Sequence, residues 1–95
     1  MRTIERSSAF KRDFKRVKAN PHHARDVDAL LLAAAKLLAT DQPLPESNRD
    51  HPLSGDWAGY RECHLKPDLL LVYRKFGDDL LKLARLGSQQ RHWSS

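Results

Sequence analysis

The sequence has little of what marks secreted, membrane-spanning or disulfide-rich proteins. Its 95 residues include one cysteine, Cys63, which cannot form an intramolecular disulfide and suits a reducing compartment. The apolar run at residues 30–35 is far shorter than the ~20 residues that span a bilayer. The first residues are polar, so we expect no signal peptide, no membrane partner and a cytoplasmic protein. The length fits one domain, residues 1–95.

Several motifs of well-known enzyme classes are also absent. The four glycines form no Walker loop, no G-x-G-x-x-G fingerprint and no nucleophile elbow, which excludes the enzymes that depend on these motifs. No Cys/His spacing typical of zinc sites occurs, and the adjacent His22 and His23 would diverge on a helix. We therefore predict no cofactor and no bound metal.

Positive charge is abundant and concentrated at the amino terminus. The net charge is +5, and residues 1–20 carry seven Lys/Arg against Glu5 and Asp13. Such a segment could bind a phosphate backbone or an acidic protein partner. It is equally well explained as a solvent-exposed helix face that binds nothing. The candidates for RNA contact are Lys11, Arg12, Lys15, Arg16 and Lys18, with Arg61 and Trp93 further along the chain.

Two helices are predicted in the first half. Ser7 and Ser8 offer N-caps, after which apolar residues recur at the i, i+4, i+7 spacing of one buried stripe. Pro21 ends this helix, because the residue before a proline avoids the α region. A second helix is predicted from about residues 22–24 to about residue 39, where alanine and leucine give strong helix propensity.

The second half is predicted to form strands at residues 60–65, 69–75 and 79–88, and residues 2–6 to form a short first strand. The turns at residues 66–68 and 76–78 are short, so successive strands should be antiparallel neighbours. The predicted fold class is α+β, β-α-α-β-β-β, with an antiparallel sheet and a helical hairpin packed on one face. We expect a binding site on the other, partly open face.

The polar residues of this sheet suggest acid–base chemistry on RNA. Side chains alternate along a strand, which places His64 on the open face and Cys63 in the core. Attack by the 2′-hydroxyl of RNA needs a base, an acid for the leaving oxygen and donors for the phosphate, and no metal is required. Histidine suits both proton roles, and a guanidinium suits the phosphate. The candidates to converge are His51, His64, Asp68 and Arg85.

Each candidate also has an ordinary structural explanation. A single strand histidine is often a hydrogen-bonded structural residue, and a carboxylate after a proline, such as Asp68, is often a turn former. Arg85 can simply pair with Glu62. These alternatives stay open from the residues alone.

Taken together, several segments resemble the YafQ-type branch of the RelE/ParE toxin superfamily. They are D-H-P-L at residues 50–53, G-x-W-x-G-Y-R-x-x-H at 55–64, L-K-P-D at 65–68 and R-L-G-S at 85–88. The resemblance covers nearly the whole chain and is weakest in the helix pair. It implies a RelE-like fold and a ribosome-dependent endoribonuclease that cuts mRNA and inhibits translation. It also implies a cognate antitoxin protein, for which we expect an acidic binding segment.

The resemblance further implies roles for individual residues. His51, His64 and Asp68 match positions that the family uses in catalysis, with His64 and Asp68 as the proton-transfer and orienting pair. Arg85 matches the arginine that opens the last-strand motif, and we assign it to phosphate contact.

Two positions depart from the family pattern. Gln89 stands where the pattern has a general-base histidine, and glutamine takes no proton near neutral pH. His92 is a candidate for the vacant role, and Trp93 for the usual C-terminal aromatic residue. Leu69 stands where related sequences can carry tryptophan, which removes a base-stacking surface. The predicted consequences are weak activity, an altered codon preference or loss of cleavage.

Two alternatives to an RNase toxin remain. One is a ParE-like toxin that inhibits DNA gyrase, which Gln89 favours and the histidines disfavour. The other is a catalytically weakened homologue that only binds an antitoxin, through the apolar and basic surface of the helix pair. An antitoxin partner is expected in every case, whereas the ribosome and mRNA are partners only of the nuclease.

Overall fold

The chain forms a five-stranded sheet and a pair of helices in a computed structural model that describes residues 1–88. The predictions for Gln89, His92 and Trp93 lie outside the described residues. The strands are β1 Thr3–Arg6, β2 His51–Pro52, β3 Arg61–Lys66, β4 Leu69–Phe76 and β5 Leu80–Gly87. The α-helices are α1 Ser8–Ala19 and α2 Val27–Ala39, and single 3-10 turns lie at Glu46–Asn48 and Gly55–Trp57.

The sheet has the strand order β1-β5-β4-β3-β2, which confirms the predicted α+β fold. The predicted all-antiparallel pairing is wrong at one edge, since β1 runs parallel to β5. Short turns force antiparallel pairing only on strands that are neighbours in sequence, whereas β1 reaches β5 across the whole chain. The two-residue strand β2, which was not predicted, pairs with β3 at the opposite edge.

Helix α1 follows its predicted pattern. The Ser7 hydroxyl accepts a hydrogen bond from the Phe10 N–H at 3.0 Å and caps the first turn. Phe10 and Val17 are buried against the sheet, and Asp13 is buried on the same face. A buried carboxylate needs compensating partners, and these come from β5.

Helix α2 begins later than predicted, at Val27, because residues 21–26 form hydrogen-bonded turns after Pro21. His22 and His23 therefore lie in a turn and are not on a helix. Within the described residues, no helix is long and apolar enough to cross a bilayer.

The two faces of the sheet bury different residues. The face toward the helices forms the main core and includes the predicted core residues Cys63 and Leu65. Burial raises the pKa of the Cys63 thiol to about 12, so the thiol stays protonated and unreactive. On the other face, Val72 and Ala84 form a smaller cluster with side chains from residues 53–60. That loop covers part of the open face and leaves its β2–β3 end accessible.

Candidate functional site

His51 and His64 lie beside each other at the β2–β3 edge of the sheet. Their ring centroids are 6.4 Å apart with an interplanar angle of 44°. The pairing of His51 with Glu62 places β2 beside β3, and alternation along β3 puts His64 on the same face as Glu62. The His51 side chain is 45% exposed and His64 is half-buried, so a ligand can reach both imidazoles.

The ring of His51 is oriented by an acceptor at each nitrogen. Its Nδ1 lies 2.7 Å from the Arg49 carbonyl oxygen and its Nε2 lies 3.2 Å from Glu62 Oε1. Because a carbonyl only accepts, Nδ1 carries the proton that is donated to Arg49. Nε2 is then the nitrogen that faces the Glu62 carboxylate and can take up or release a proton. This geometry supports acid–base chemistry at His51.

Glu62 is the functional candidate that the sequence interpretation missed. It is 4% exposed, although glutamate is rarely buried unless it is paired. A signal was present, since Glu62 lies two residues before His64 on one strand face. Only the unpredicted strand β2 brings His51 against it.

A second set of polar contacts holds the loop that leads into β2. The Tyr73 hydroxyl donates to Asp50 Oδ1 at 2.6 Å, and Arg61 Nε donates to the same oxygen at 3.2 Å. Burial and then the bond to Asp50 raise the pKa of Tyr73, so the phenol stays protonated and remains a donor. Burial lowers the pKa of Arg61, but Asp50 more than offsets it and the pKa rises. These bonds fix the residue directly before His51.

An open cleft of about 480 Å³ lies next to His64. Asn48 Nδ2 donates to the His64 carbonyl oxygen at 2.7 Å and ties the loop to β3. Arg49 has a left-handed backbone, with φ 49° and ψ 46°, which is uncommon for a non-glycine residue and often occurs at functional sites. The cleft has a size typical of ligand pockets. Its lining consists of Ser47, Asn48, Arg49, His64, Leu65, Lys66 and Pro67.

Asp68 lies in the turn between β3 and β4, where its carboxylate faces two other histidines. Its Oδ2 is 3.2 Å from His22 Nε2 and 3.9 Å from His23 Nε2. The expectation that these two histidines diverge is wrong, because they lie in a turn and their ring centroids are 4.9 Å apart. The pairing of Asp68 with His64 stays a prediction.

His23 differs from the other histidines in its burial. Its side chain is only 6% exposed. Burial lowers the pKa of His23, although Asp68 opposes this effect, so the ring is neutral at pH 7.

Arg85 contacts helix α1. Its Nε and Nη2 donate to the two carboxylate oxygens of Asp13 at 2.7 and 3.1 Å, and the Leu86 N–H donates to the same carboxylate at 3.0 Å. Burial alone raises the pKa of Asp13, but these bonds and the charges of Arg85 and Arg16 lower it overall. Asp13 raises the pKa of Arg85. Among the described residues, the lining of the cleft beside His64 does not include Arg85.

The remaining predicted RNA contacts fall on two surfaces. All five basic residues of α1 are exposed. Two of them also form ion pairs, Lys18 with Asp28 at 2.7 Å and Arg16 with Asp13 at 3.4 Å. Arg61 pairs with Asp50, on the sheet face opposite His64. Leu69, at the other departure from the family pattern, is buried in the main core.

Comparison with known proteins places the chain among bacterial toxins. Residues 2–92 match the family described as bacterial toxin of type II toxin–antitoxin system, YafQ. The mRNA interferase toxin YafQ of Escherichia coli K12 is 39% identical over 87 residues, covering 92% of this chain and 90% of that protein. A metal-bound toxin from Helicobacter pylori has a similar crystal structure, with a TM-score of 0.80, 46% identity and coverage of 94% and 96%. The E. coli DinJ–YafQ toxin–antitoxin complex contains another, with a TM-score of 0.75, 39% identity and coverage of 92% and 91%.

Proposed function

The chain belongs to the YafQ family of bacterial type II toxins, and on this basis we propose that it is an endoribonuclease that cuts mRNA and inhibits translation. The observation that carries the proposal is the pair of accessible imidazoles, His51 and His64, of which His64 lines a cleft of about 480 Å³. We further propose that it acts on mRNA in the ribosome, which would place it in the cytoplasm.

The proposed reaction uses the 2′-hydroxyl of the RNA as the nucleophile. His64, next to the cleft, removes the proton from that hydroxyl while its oxygen attacks the adjacent phosphate. His51 delivers a proton to the leaving 5′-oxygen, and Glu62, 3.2 Å from its Nε2, orients the ring. Each proton-transfer group is expected to contribute roughly 10²–10⁴-fold to the rate.

Asp68 and Arg85 have supporting roles in the proposal. Asp68 follows β3 directly and is proposed to orient the reacting groups. Arg85 is proposed to contact phosphate, with its guanidinium plane fixed by the two hydrogen bonds that it donates to Asp13. Gln89 takes no proton, so His64 acts as the base in this chain, and His92 is proposed to assist it in place of the family's histidine.

The proposed protein partner is a cognate antitoxin, by analogy with the toxin–antitoxin complex of the E. coli relative. The exposed basic face of α1 would attract an acidic segment of such a partner. The same face would contact RNA phosphates when the antitoxin is absent.

The test is cleavage of a defined mRNA by purified protein, with and without ribosomes. We expect cleavage only with ribosomes, and a loss of at least roughly 10²-fold in His64→Ala. Lys36→Ala, a change at an exposed position of α2, is the matched control and should cleave like the wild type. Equal cleavage by wild type and His64→Ala would remove His64 from the mechanism, and no cleavage by the wild type would refute the function.

The same assay tests the substitution at position 89. We expect Gln89→His to cleave faster than the wild type and His92→Ala to cleave more slowly. If His92→Ala cleaves like the wild type, His92 does not assist the reaction.

A further inference from the structure

Three potential metal ligands meet where the α1–α2 connection touches the β3–β4 turn. They are His22, His23 and Asp68, each of which offers one ligand atom, and these atoms all lie within 4.8 Å of one another. Two imidazoles and a carboxylate are a common ligand set for zinc and related divalent ions. The group is separate from the pair of imidazoles at His51 and His64.

The spacing of these atoms is close to that of a metal site. A tetrahedral ion with ligands at about 2.0–2.1 Å holds the ligand atoms roughly 3.3 Å apart. The observed separations from Asp68 Oδ2 are 3.2 Å to His22 and 3.9 Å to His23. The full set of ligand atoms lies within 4.8 Å, and His22 is exposed and Asp68 half-exposed, so these two side chains can move to close the set around an ion.

His23 supplies an independent indication of a ligand. Its side chain is buried to more than nine-tenths, and its Nδ1 has no hydrogen-bond partner among the described residues. A buried structural histidine is normally hydrogen-bonded. Its Nε2 faces Asp68 Oδ2 at 3.9 Å, too far for a hydrogen bond, so this nitrogen can instead bind an ion placed between the two side chains.

The backbone holds the two imidazoles in place. The Asn20 side-chain oxygen accepts from the His22 N–H at 2.9 Å, and the Asn20 carbonyl accepts from the His23 N–H at 3.0 Å. The nearby cation, Lys66, is paired with Asp26 at 3.3 Å and donates to the His22 carbonyl at 2.9 Å. Asp26 therefore balances the positive charge of Lys66, and the negative charge of Asp68 remains available to attract a cation.

We propose that His22, His23 and Asp68 bind one divalent transition-metal ion of the zinc class, with water completing the coordination. The ion would cross-link the α1–α2 connection to the β3–β4 turn. Because it binds the folded protein and not the unfolded chain, it would stabilise the folded state. It would also occupy the carboxylate of Asp68. If the proposed function holds, the bound metal therefore inhibits cleavage, whereas metal binding itself does not depend on that function.

The test is calorimetric titration of the metal-free, full-length protein with Zn²⁺ and, in parallel, visible absorption with Co²⁺. We expect one ion per chain and Co²⁺ bands typical of tetrahedral coordination. His22→Ala and Asp68→Asn each remove one ligand at a surface position, so the fold should persist, as checked by circular dichroism. Each change should weaken Zn²⁺ binding by roughly tenfold or more.

Matched controls separate this site from other histidines. His51→Ala, His64→Ala and His92→Ala should bind Zn²⁺ as the wild type does. Absence of binding, or binding unchanged by His22→Ala, would overturn the proposal, and so would loss of binding in any of the three controls. Because no RNA is present, a protein that binds Zn²⁺ but never cuts mRNA would refute only the nuclease function.

Discussion

The carboxylate of Asp13 on α1 receives the guanidinium of Arg85 on β5 through two hydrogen bonds, of 2.7 and 3.1 Å. Asp13 is 2% exposed, and the Leu86 N–H donates to it as well. These bonds link the first helix to the sheet through a buried carboxylate. They also set the orientation of an arginine proposed to contact phosphate.

Replacing Asp13 should destabilise the protein. Asp13→Asn removes the charge opposite Arg85 and weakens a buried network, at an expected cost of about 2–3 kcal/mol. This loss of stability is smaller than the loss expected when one partner of a fully buried ion pair is removed, because the Arg85 side chain is still 26% exposed. Urea denaturation measures the change, with Asp78→Asn in an exposed turn as the matched control, expected within about 0.5 kcal/mol of wild type. Equal destabilisation by both variants would contradict the assigned role.

The same carboxylate predicts a pH dependence of stability. The pKa of Asp13 is lowered in the folded protein, whereas an unfolded aspartate titrates at about 3.9. Between these two values the unfolded chain binds more protons, so stability is lost as the pH falls. We expect the Tm of wild type to drop more steeply below about pH 4 than that of Asp13→Asn. Parallel curves for the two proteins would show that Asp13 does not contribute.

The hydrogen bond from Tyr73 to Asp50 should matter for cleavage as well as for stability. Tyr73→Phe removes the 2.6 Å bond that holds the residue before His51. The expected cost is about 1 kcal/mol in stability and a lower kcat, because the His51 ring loses part of its support. Tyr60→Phe on the opposite sheet face is the matched control. A Tyr73→Phe protein with wild-type kcat would show that this bond does not position His51.

The exposed basic face of α1 should control RNA binding and not the chemical step. Replacing Lys11, Arg12 and Lys15 together by alanine removes three positive charges from an exposed surface. We expect weaker RNA binding, a higher KM and a shallower dependence of affinity on salt, with kcat little changed. Filter binding at several salt concentrations measures the RNA affinity and its dependence on salt. An unchanged salt slope would move the RNA contact to another surface.

Local patterns predicted much of the fold. The apolar spacing of α1, the Ser7 cap and the buried strand β4 each depend on residues close in sequence, and each is present in the structure. Alternation along β3 also placed Cys63 in the core and His64 on the opposite face. In these elements local propensity and tertiary packing favour the same conformation.

The features that were missed depend on distant partners. The parallel pairing of β1 with β5 joins the two ends of the described chain, and Asp13 meets Arg85 from another element. Glu62 gains its importance only through the short strand that carries His51. His22 and His23 were assigned to a helix because helix starts are hard to locate from local signals. The spacing of apolar residues along a short segment does not indicate contacts between residues that are distant in sequence.

The most direct test of the proposed chemistry is a double-mutant cycle on His51 and His64 in the ribosome-programmed mRNA cleavage assay. If the two imidazoles act together on one phosphate, each single alanine variant should lose most of the cleavage activity. The double variant should then cleave only slightly more slowly than the less active single variant. Independent, multiplicative losses, or wild-type cleavage by either single variant, would contradict a shared catalytic site at the β2–β3 edge.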